Sequence, residues 1–547
     1  MSPLIGSQLF LCVERHLLSS FDTRCAKCRH PVLIFVVVVC GLSGPFHYGY
    51  NISAMNSPSK VPLKRILHHF SHVHRYEFIK ALINDTLLER YNTTLDNFQV
   101  SLMWSITVSL FSLGGAVGSA AAGFLLSIVG RKKCMLLNAI LVMAAAVLML
   151  TSKYARSFEM IMIGRFLYGM NAAISLAAHT MYMTECAPKH LKGAVGQTII
   201  NFTCLGRLCG MLLGLSELLG NEDYWNVLLG FIIITAFLLL VSLAFLPESP
   251  SFLLLNRGDR LECERALKKL WGDGDHSGAM EEMLQEKAAL ETADTVSVCG
   301  LIRDKRVRWQ LITLIVTFVS LPLSGVIAVY FYSFEVFRAA GLEENLFPYL
   351  ALGMGAVEFV SSLLAFPLFV RKGTRFLLMM GYGIMAGTLV CLTISLALQS
   401  YTTWMPYVSM ALIFIFIAGC AMGPAAATPP LPTQIFPHAF KSAALSLGSG
   451  IAWTILFTIS MSFSFMVEGM RQYCFLIFLV FCVGCGLFVT FKFPDIKNHG
   501  VHQVAVACEM RNGAAAPAVA PENDTKKSNG QVESEEQDEN DEMDTVM

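Results

Sequence analysis

Apolar runs of about twenty residues recur along this chain, and nothing else in it constrains the fold as strongly. Twelve can be read, at 31–51, 99–128, 134–152, 158–182, 194–217, 225–246, 308–337, 346–370, 376–399, 405–432, 442–467 and 471–492. A bilayer core about 30 Å thick takes roughly 20 apolar residues per helical crossing. Inside that core every backbone N–H and C=O must find its partner within the protein, which a helix does by itself. The expected fold class is therefore an all-α membrane protein of twelve transmembrane helices. Composition agrees: 54% of the 547 residues are hydrophobic and 15% charged, with a mean hydropathy of +0.56. That is too apolar for a soluble multidomain chain. A formal net charge of zero gives no support to a nucleic-acid partner or an acidic substrate.

The placement of charge orients the spans. Short loops alternate between basic (Arg131, Lys132, Lys133; Lys189, Lys192; Arg371, Lys372, Arg375; Lys441) and nearly uncharged, as at 218–224 and 400–404. By the positive-inside rule the basic set is cytoplasmic, and both termini lie on that side. The loop 52–98 is then extracytoplasmic, where its sequons at Asn84 and Asn92 are expected to carry glycans; those at Asn51, Asn201 and Asn523 fall in spans or tail and are not. The 16 cysteines are scattered through spans as small apolar residues. Cys25 and Cys28 lack a second ligand pair, so palmitoylation beside the first span is the preferred reading and no metal site is expected. Residues 1–30 do not read as a cleavable signal peptide.

The chain divides into a cytoplasmic segment 1–30, a six-helix unit 31–248, a polar helical linker 249–305, a second six-helix unit 306–495 and a tail 496–547. The tail has eight acidic residues between Glu533 and Asp544 and is expected to be disordered. The two units repeat each other. Gly130-Arg131-Lys132 returns as Gly373-Thr374-Arg375, Thr184-Glu185 through Gly193 as Thr433-Gln434 through Ser442, and Pro247-Glu248 as Pro494-Asp495. Collinear offsets (373 − 130 = 243, 433 − 184 = 249, 494 − 247 = 247) indicate a duplicated unit, the architecture in which one half rocks against the other around a central site.

Three groups of residues carry the candidate chemistry. Arg131, Arg165, Glu185 and Glu248 in the first unit, with Arg375, Gln434, Lys441 and Asp495 in the second, are read as helix-end partners that close the cytoplasmic gate, or otherwise as topology signals. Glycine and proline breaks at Gly41, Gly44, Pro45 and Gly49, and at Gly423, Pro424, Pro429, Pro430 and Pro432, place a binding region, because broken helices free backbone groups to face a cavity. Tyr48, Tyr50 and Asn51 beside the first break, with Ser324, Tyr330 and Tyr332 on the seventh run, would offer hydroxyls and an amide to a neutral polyol. Finally, Arg207 and Glu358 lie deep within runs five and eight. Intramembrane charges are expensive and mark function, so the two are expected to pair, or Glu358 to meet a solute or a proton; snorkelling or a protonated carboxyl is the plainer alternative.

These motifs resemble those of the sugar porter family of the major facilitator superfamily, specifically the animal facilitative hexose transporters and their fructose-carrying subgroup. The resemblance runs from about 35 to 498. It rests on Tyr48-Gly49-Tyr50-Asn51, Asn56-Ser57-Pro58, Gly130-Arg131-Lys132, Gly164-Arg165, Glu185 through Gly193, Pro247-Glu248-Ser249-Pro250, Leu323-Ser324-Gly325-Val326 and Gly423-Pro424. It implies two six-helix bundles, no cofactor, and a sugar site to which Trp453 of the eleventh run belongs. Several sugar-contacting positions of the family are changed: its glutamines and asparagines correspond to Ile200, Met211, Leu321, Pro322 and Ile327, one asparagine has become Glu358, and Ala452 and Leu456 stand where polar residues are expected. Losing several such hydrogen bonds weakens an aldohexose by orders of magnitude. Ordinary glucose is thus not the expected solute: fructose or another hexose is the family default, with a flatter or less polar solute, or one whose positive charge faces Glu358, as the alternatives.

Three functions compete at this stage. A facilitative carrier of a hexose or related small solute at the plasma membrane comes first; no phosphate-cradling loop suggests an ATP-driven pump. Proton coupling through Glu358 is second. A non-transporting sensor or scaffold is third, resting on Thr545-Val546-Met547, which match a carboxyl-terminal ligand for a PDZ-domain protein. No nucleophile–base pair or metal cluster suggests an enzyme.

Overall fold

The structure is a computed structural model and describes residues 31–55, 78–92, 96–188, 191–291, 298–326, 329–330, 333, 336–337, 342–343, 346–398, 401–402, 404–436, 438–470 and 473–493. Glycine corners set the helix ends. The second span, Asn97–Val129, starts on a reciprocal cap in which the Gln99 amide donates to Asp96 Oδ1 (2.8 Å) and the Asp96 amide to Gln99 Oε1 (3.2 Å). It stops at Gly130, whose φ of +90° turns the chain straight into the third span, Arg131–Ser152. Gly373, φ +82°, makes the same corner between the eighth span, Phe347–Lys372, and the ninth, Thr374–Leu398. The motif repeat seen in sequence is thus a repeated turn that only glycine adopts freely.

Among the described residues, three spans are broken at a proline. The first runs as Pro31–Ser43 and Pro45–Ala54, divided by Gly44 and by a proline that has no N–H to donate. The seventh opens with Arg308–Ser320, tightens over Pro322–Ser324 and turns at Gly325, φ +87°. The tenth is split into Met405–Met422, Pro424–Ala427 and Leu431–Ile435. The remaining spans are the fourth, Phe158–Cys186, the fifth, Lys192–Leu213, the sixth, Trp225–Gly230 with Ile232–Phe245, the eleventh, His438–Met470, and the twelfth, Cys474–Lys492. Among the described residues, ten helices are long and apolar enough to cross a bilayer. The fifth and seventh spans are outside that set. Gln197, Asn201 and Arg207 make the fifth too polar, and the 13 residues Arg308–Ser320 are the longest unbroken helix described in the seventh.

Each half has its own core. One contiguous apolar cluster runs from Leu301 to Phe493 in the second half, and two fill the first half between Leu33 and Leu270, with Trp453 reaching across into one of them. Inside the first half the helices touch backbone to backbone. A Cβ on Gly49 would lie 1.9 Å from the Thr203 carbonyl oxygen and one on Gly206 2.1 Å from that of Phe46, so the first and fifth spans interlock through paired glycines. Gly114 and Gly169 do the same for the second and fourth, at 2.0 and 1.9 Å from Phe166 and Phe111 oxygens.

Two seams join the halves. Along one, Gly115 of the second span meets the Trp453 ring of the eleventh, and the Ser109 hydroxyl donates to Met461 Sδ at 3.7 Å. Along the other, Cys204 and Leu208 of the fifth span pack on Phe359 of the eighth. That seam closes at its end with a Tyr349 hydroxyl donating to Glu217 Oε1 at 2.9 Å.

Two elements lie outside the membrane spans, one unexpected and one the helical linker that was expected. The loop 52–98 contains a helix, Phe78–Tyr91, that docks Ile79 and Ile83 inward and is pinned by Arg90–Glu159 (3.1 Å) and Arg156–Glu89 (2.7 Å). Its apolar residues are spread around the helix and do not gather on one face, so no amphipathic period marks it in the sequence. The linker contains helices Arg260–Trp271 and Ser277–Glu291. The first is capped by Asp259, which accepts from the Glu262 amide at 3.0 Å. It is tied to the fourth span by Trp271 Nε1 donating to the Cys186 carbonyl at 2.9 Å. Burial in the small linker core pushes the Cys263 thiol up to about 11. The segment 1–30, the tail 494–547 with Asp495, and Tyr332 lie outside the described residues.

Candidate substrate site between the two halves

At mid-depth of the second seam sit two charges. Glu358 is the twelfth (358 − 347 + 1) of the 26 residues of the eighth span, and its Oε1 accepts from Arg207 Nη1 of the fifth. The Tyr330 hydroxyl of the seventh span donates to its Oε2 at 2.7 Å, and the Tyr330 ring lies 5.9 Å from the guanidinium carbon. The side chains of Arg207 and Glu358 are 15% and 8% exposed. Both carboxylate oxygens are therefore engaged, while the buried Arg207 Nε has no hydrogen-bond acceptor. Taking two charges out of water is costly, and only mutual neutralisation with further hydrogen bonds makes the arrangement tolerable.

Aromatic rings flank this pair. Tyr48, half-buried on the first span next to Gly49, which packs against the Arg207 backbone, meets Trp453 edge-on at 5.5 Å and stacks on Phe111 at 6.4 Å. Phe111 and Trp453 meet edge-on at 5.7 Å. The site thus draws Tyr48, Phe111 and Arg207 from one half and Tyr330, Glu358 and Trp453 from the other. Phe111 was not singled out in the sequence, since one phenylalanine in an apolar span carries no signal of its own.

Three expected lining residues face elsewhere. Tyr50 is fully buried within the first half, its hydroxyl donating to the Leu228 carbonyl at 2.8 Å. Asn51 is buried too: its amide donates to the His47 carbonyl at 3.0 Å, and its own carbonyl accepts from Arg165 Nη1 at 3.0 Å. The helix after Gly44–Pro45 points these positions at the sixth and fourth spans, leaving Tyr48 on the seam. Ser324 closes its own turn onto the Leu321 carbonyl (2.8 Å) within the second half.

The profile of the family described as sugar (and other) transporter matches residues 36–507. The chain belongs to that family. Among curated proteins, this transporter is similar to the mouse solute carrier family 2, facilitated glucose transporter member 9, at 35% identity over 92% of this chain and 90% of that one. It is 36% identical to the mouse member 5 over 88% and 93%. Among solved structures it is similar to the proton:xylose symporter XylE of the major facilitator superfamily bound to 6-bromo-6-deoxy-D-glucose, with a TM-score of 0.70 and 18% identity over 86% of this chain and 98% of that one. An inward open XylE from E. coli matches at a TM-score of 0.65 and 17% identity over 86% and 99%. The fold is accordingly the twelve-helix major facilitator fold, and the transporter is a multi-pass membrane protein.

The residues expected to close the cytoplasmic gate occupy two different places in this transporter. Arg131 Nη2 pairs with Glu185 Oε1 at 2.8 Å, the Ser249 hydroxyl donates to Glu185 Oε2, and the Arg131 guanidinium covers the Phe252 ring at 5.1 Å. Glu248 accepts from the amides of Lys132 (2.9 Å) and Ser249 (3.1 Å). In the second half Gln434 accepts from the Thr374 hydroxyl at 2.8 Å, and Arg375 Nη2 donates to the Thr490 carbonyl at 2.6 Å. None of these contacts crosses from one half to the other, Glu185, Glu248 and Arg131 also meeting Ser249 and Phe252 at the start of the linker, and the Lys441 side chain lies outside the described residues. Arg165 does not belong with them. It sits twenty residues (185 − 165) before Glu185 in one continuous helix, about 30 Å along its axis, buried against Asn51 and 4.6 Å over the Phe111 ring. Of the sequon residues, Asn84 is half-buried in the Phe78–Tyr91 helix, with its Thr86 hydroxyl held by the Arg156 carbonyl at 3.2 Å, whereas Asn92 is exposed just past the helix end at φ +50°.

Proposed function

We propose that the chain is a facilitative carrier of an uncharged hexose, fructose-like rather than glucose-like, working by alternating access of its two halves. One observation carries this reading: a neutralised charge pair and two aromatic platforms drawn from both halves meet at mid-depth, where a sugar-sized solute would touch both moving bodies. The names of the relatives support sugar as the class of solute. The changes at Ile200, Leu321 and Pro322 argue against glucose. A cationic solute is disfavoured, because Arg207 already balances the charge on Glu358. Proton coupling is disfavoured because both Glu358 oxygens already accept hydrogen bonds, from Arg207 and from Tyr330.

The test is uptake by the purified full-length chain in proteoliposomes of a labelled panel of fructose, glucose, urate, polyols and organic cations. Saturable fructose uptake, constant from pH 5.5 to 7.5 without an imposed gradient, is expected. Organic-cation uptake in preference to hexose would remove the reading, and a steep rise towards pH 5.5 would replace it with proton-coupled transport.

We also infer that the carrier sits in the plasma membrane with both termini in the cytoplasm; the basic loops support the orientation. On this topology Asn92, exposed beyond its helix, is the favoured glycan acceptor and Asn84 a secondary one. A PDZ-domain partner for Thr545–Met547 rests on those residues alone. In cells, Asn92→Gln is expected to abolish most of the shift produced by a glycosidase. Deleting Thr545 to Met547 tests the PDZ reading, which an unchanged surface fraction removes.

A further inference from the structure

The arrangement around Glu358 has an unused half. Its carboxylate is held from both sides, by Arg207 of the first unit and Tyr330 of the second. Arg207 keeps one buried N–H free of any acceptor, and Tyr48, whose neighbour Gly49 packs on the Arg207 backbone, holds the Trp453 ring edge-on, giving two faces on which a sugar ring can stack. A solute that enters here must leave neither charge stranded, because an uncompensated buried ion costs more than the pair itself contributes. A cation would strand Arg207, and an anion Glu358. A lone hydroxyl can donate to the carboxylate and accept from the guanidinium only while the two stay within one oxygen's reach of each other, so it cannot bridge them once they part. Two adjacent oxygens can serve both, one donating its proton to the carboxylate while its neighbour accepts from the guanidinium, whose N–H groups fan out in a plane.

Resting on the proposed hexose transport and refining it, we propose that the Arg207–Glu358 pair is a solute-opened clasp, into which an uncharged polyol inserts a vicinal diol or the hydroxyketone end of a ketose. Tyr330 keeps Oε2 occupied while Oε1 passes from arginine to solute, so the carboxylate never loses both partners. Because the two arms belong to different halves, the solute replaces a bond that spans the moving interface. Recognition and release of that interface are then one event. The aromatic neighbours select for a ring but not for its hydroxyl pattern; the clasp reads one adjacent pair.

The experiment uses the full-length chain in proteoliposomes, with labelled fructose competed by each of its monodeoxy analogues. In the wild type, two analogues lacking oxygens at adjacent carbons are expected to compete about tenfold or more weakly than fructose, the scale of a lost hydrogen bond to a charged group, and the others to within a few-fold. In Arg207→Met with Glu358→Met, which removes both charges at similar volume, thermal-shift titration is expected to show fructose binding no better than those two analogues. Should that variant fail to fold, Arg207→Lys with Glu358→Asp keeps both charges but spoils the planar fork, and the two-position penalty is expected to shrink. Penalties at non-adjacent carbons, or the same pattern persisting in a folded variant, would overturn the clasp while leaving hexose transport standing. Absence of any hexose uptake by the wild type would overturn the transport reading and the clasp together.

Discussion

Glu358→Gln on its own is expected to destabilise the folded carrier by roughly 3–5 kcal/mol, the range for removing one partner of a buried ion pair. Arg207 would remain at mid-depth without the carboxylate that balances it, in a seam whose Cys204, Leu208 and Phe359 are apolar or nearly so. Arg207→Met should cost a similar amount for the mirror-image reason. Combining Arg207→Met with Glu358→Met should recover most of that loss, because a well-packed apolar pair often matches the ion pair it replaces. The measurement is a melting curve of the detergent-purified chain for the wild type, both single variants and the double. Single variants that melt with the wild type would mean that the pair is not formed in the folded protein. The cycle matters because the two groups are in contact, so their effects are not additive and the difference isolates their interaction.

Gly206→Val should be comparably severe by a purely steric route. The added Cβ would start 2.1 Å from the Phe46 carbonyl oxygen, a backbone atom that no rotamer change can move, and Gly49 faces Thr203 across the same contact at 1.9 Å. Overpacking usually costs about 1–3 kcal/mol, and a clash against backbone belongs at or beyond the upper end. The first and fifth spans would be wedged apart beside Arg207, so sugar binding should fail together with stability. Gly387→Ala is the control: nothing lies within 4 Å of its added Cβ, and glycine in a helix interior is already unfavourable. A melting temperature for Gly206→Val equal to that of Gly387→Ala would refute the interlock.

What could be read from the sequence, and what could not, follows from how each signal is encoded. Span number and the internal repeat are written in composition and in turn residues such as Gly130 and Gly373, which act locally. Arg207 and Glu358 stood out because a charge within an apolar run is conspicuous whatever its neighbours, although that they meet depends on two helices from different halves lying at the same depth. The facing of Tyr50, Asn51 and Ser324 was not readable. One residue separates Tyr48 on the seam from Tyr50 in the core, and the rotation that decides between them is set by the break at Gly44 and Pro45. Arg165 was misplaced because its helix is long: a charge near one end of a 29-residue span looks, in one dimension, much like a charge near the other.

Opposite charges on the two halves also bear on energetics across the whole membrane. Moving one elementary charge through the field is worth about 2.3 kcal/mol for each 100 mV, enough to pin a rocking carrier in one orientation. With Arg207 and Glu358 at matching depth, the pair at the seam presents a dipole in place of a net charge. An empty or sugar-loaded carrier of this kind should therefore cycle at rates that cell voltage barely touches, with flux following the solute gradient in whichever direction it points.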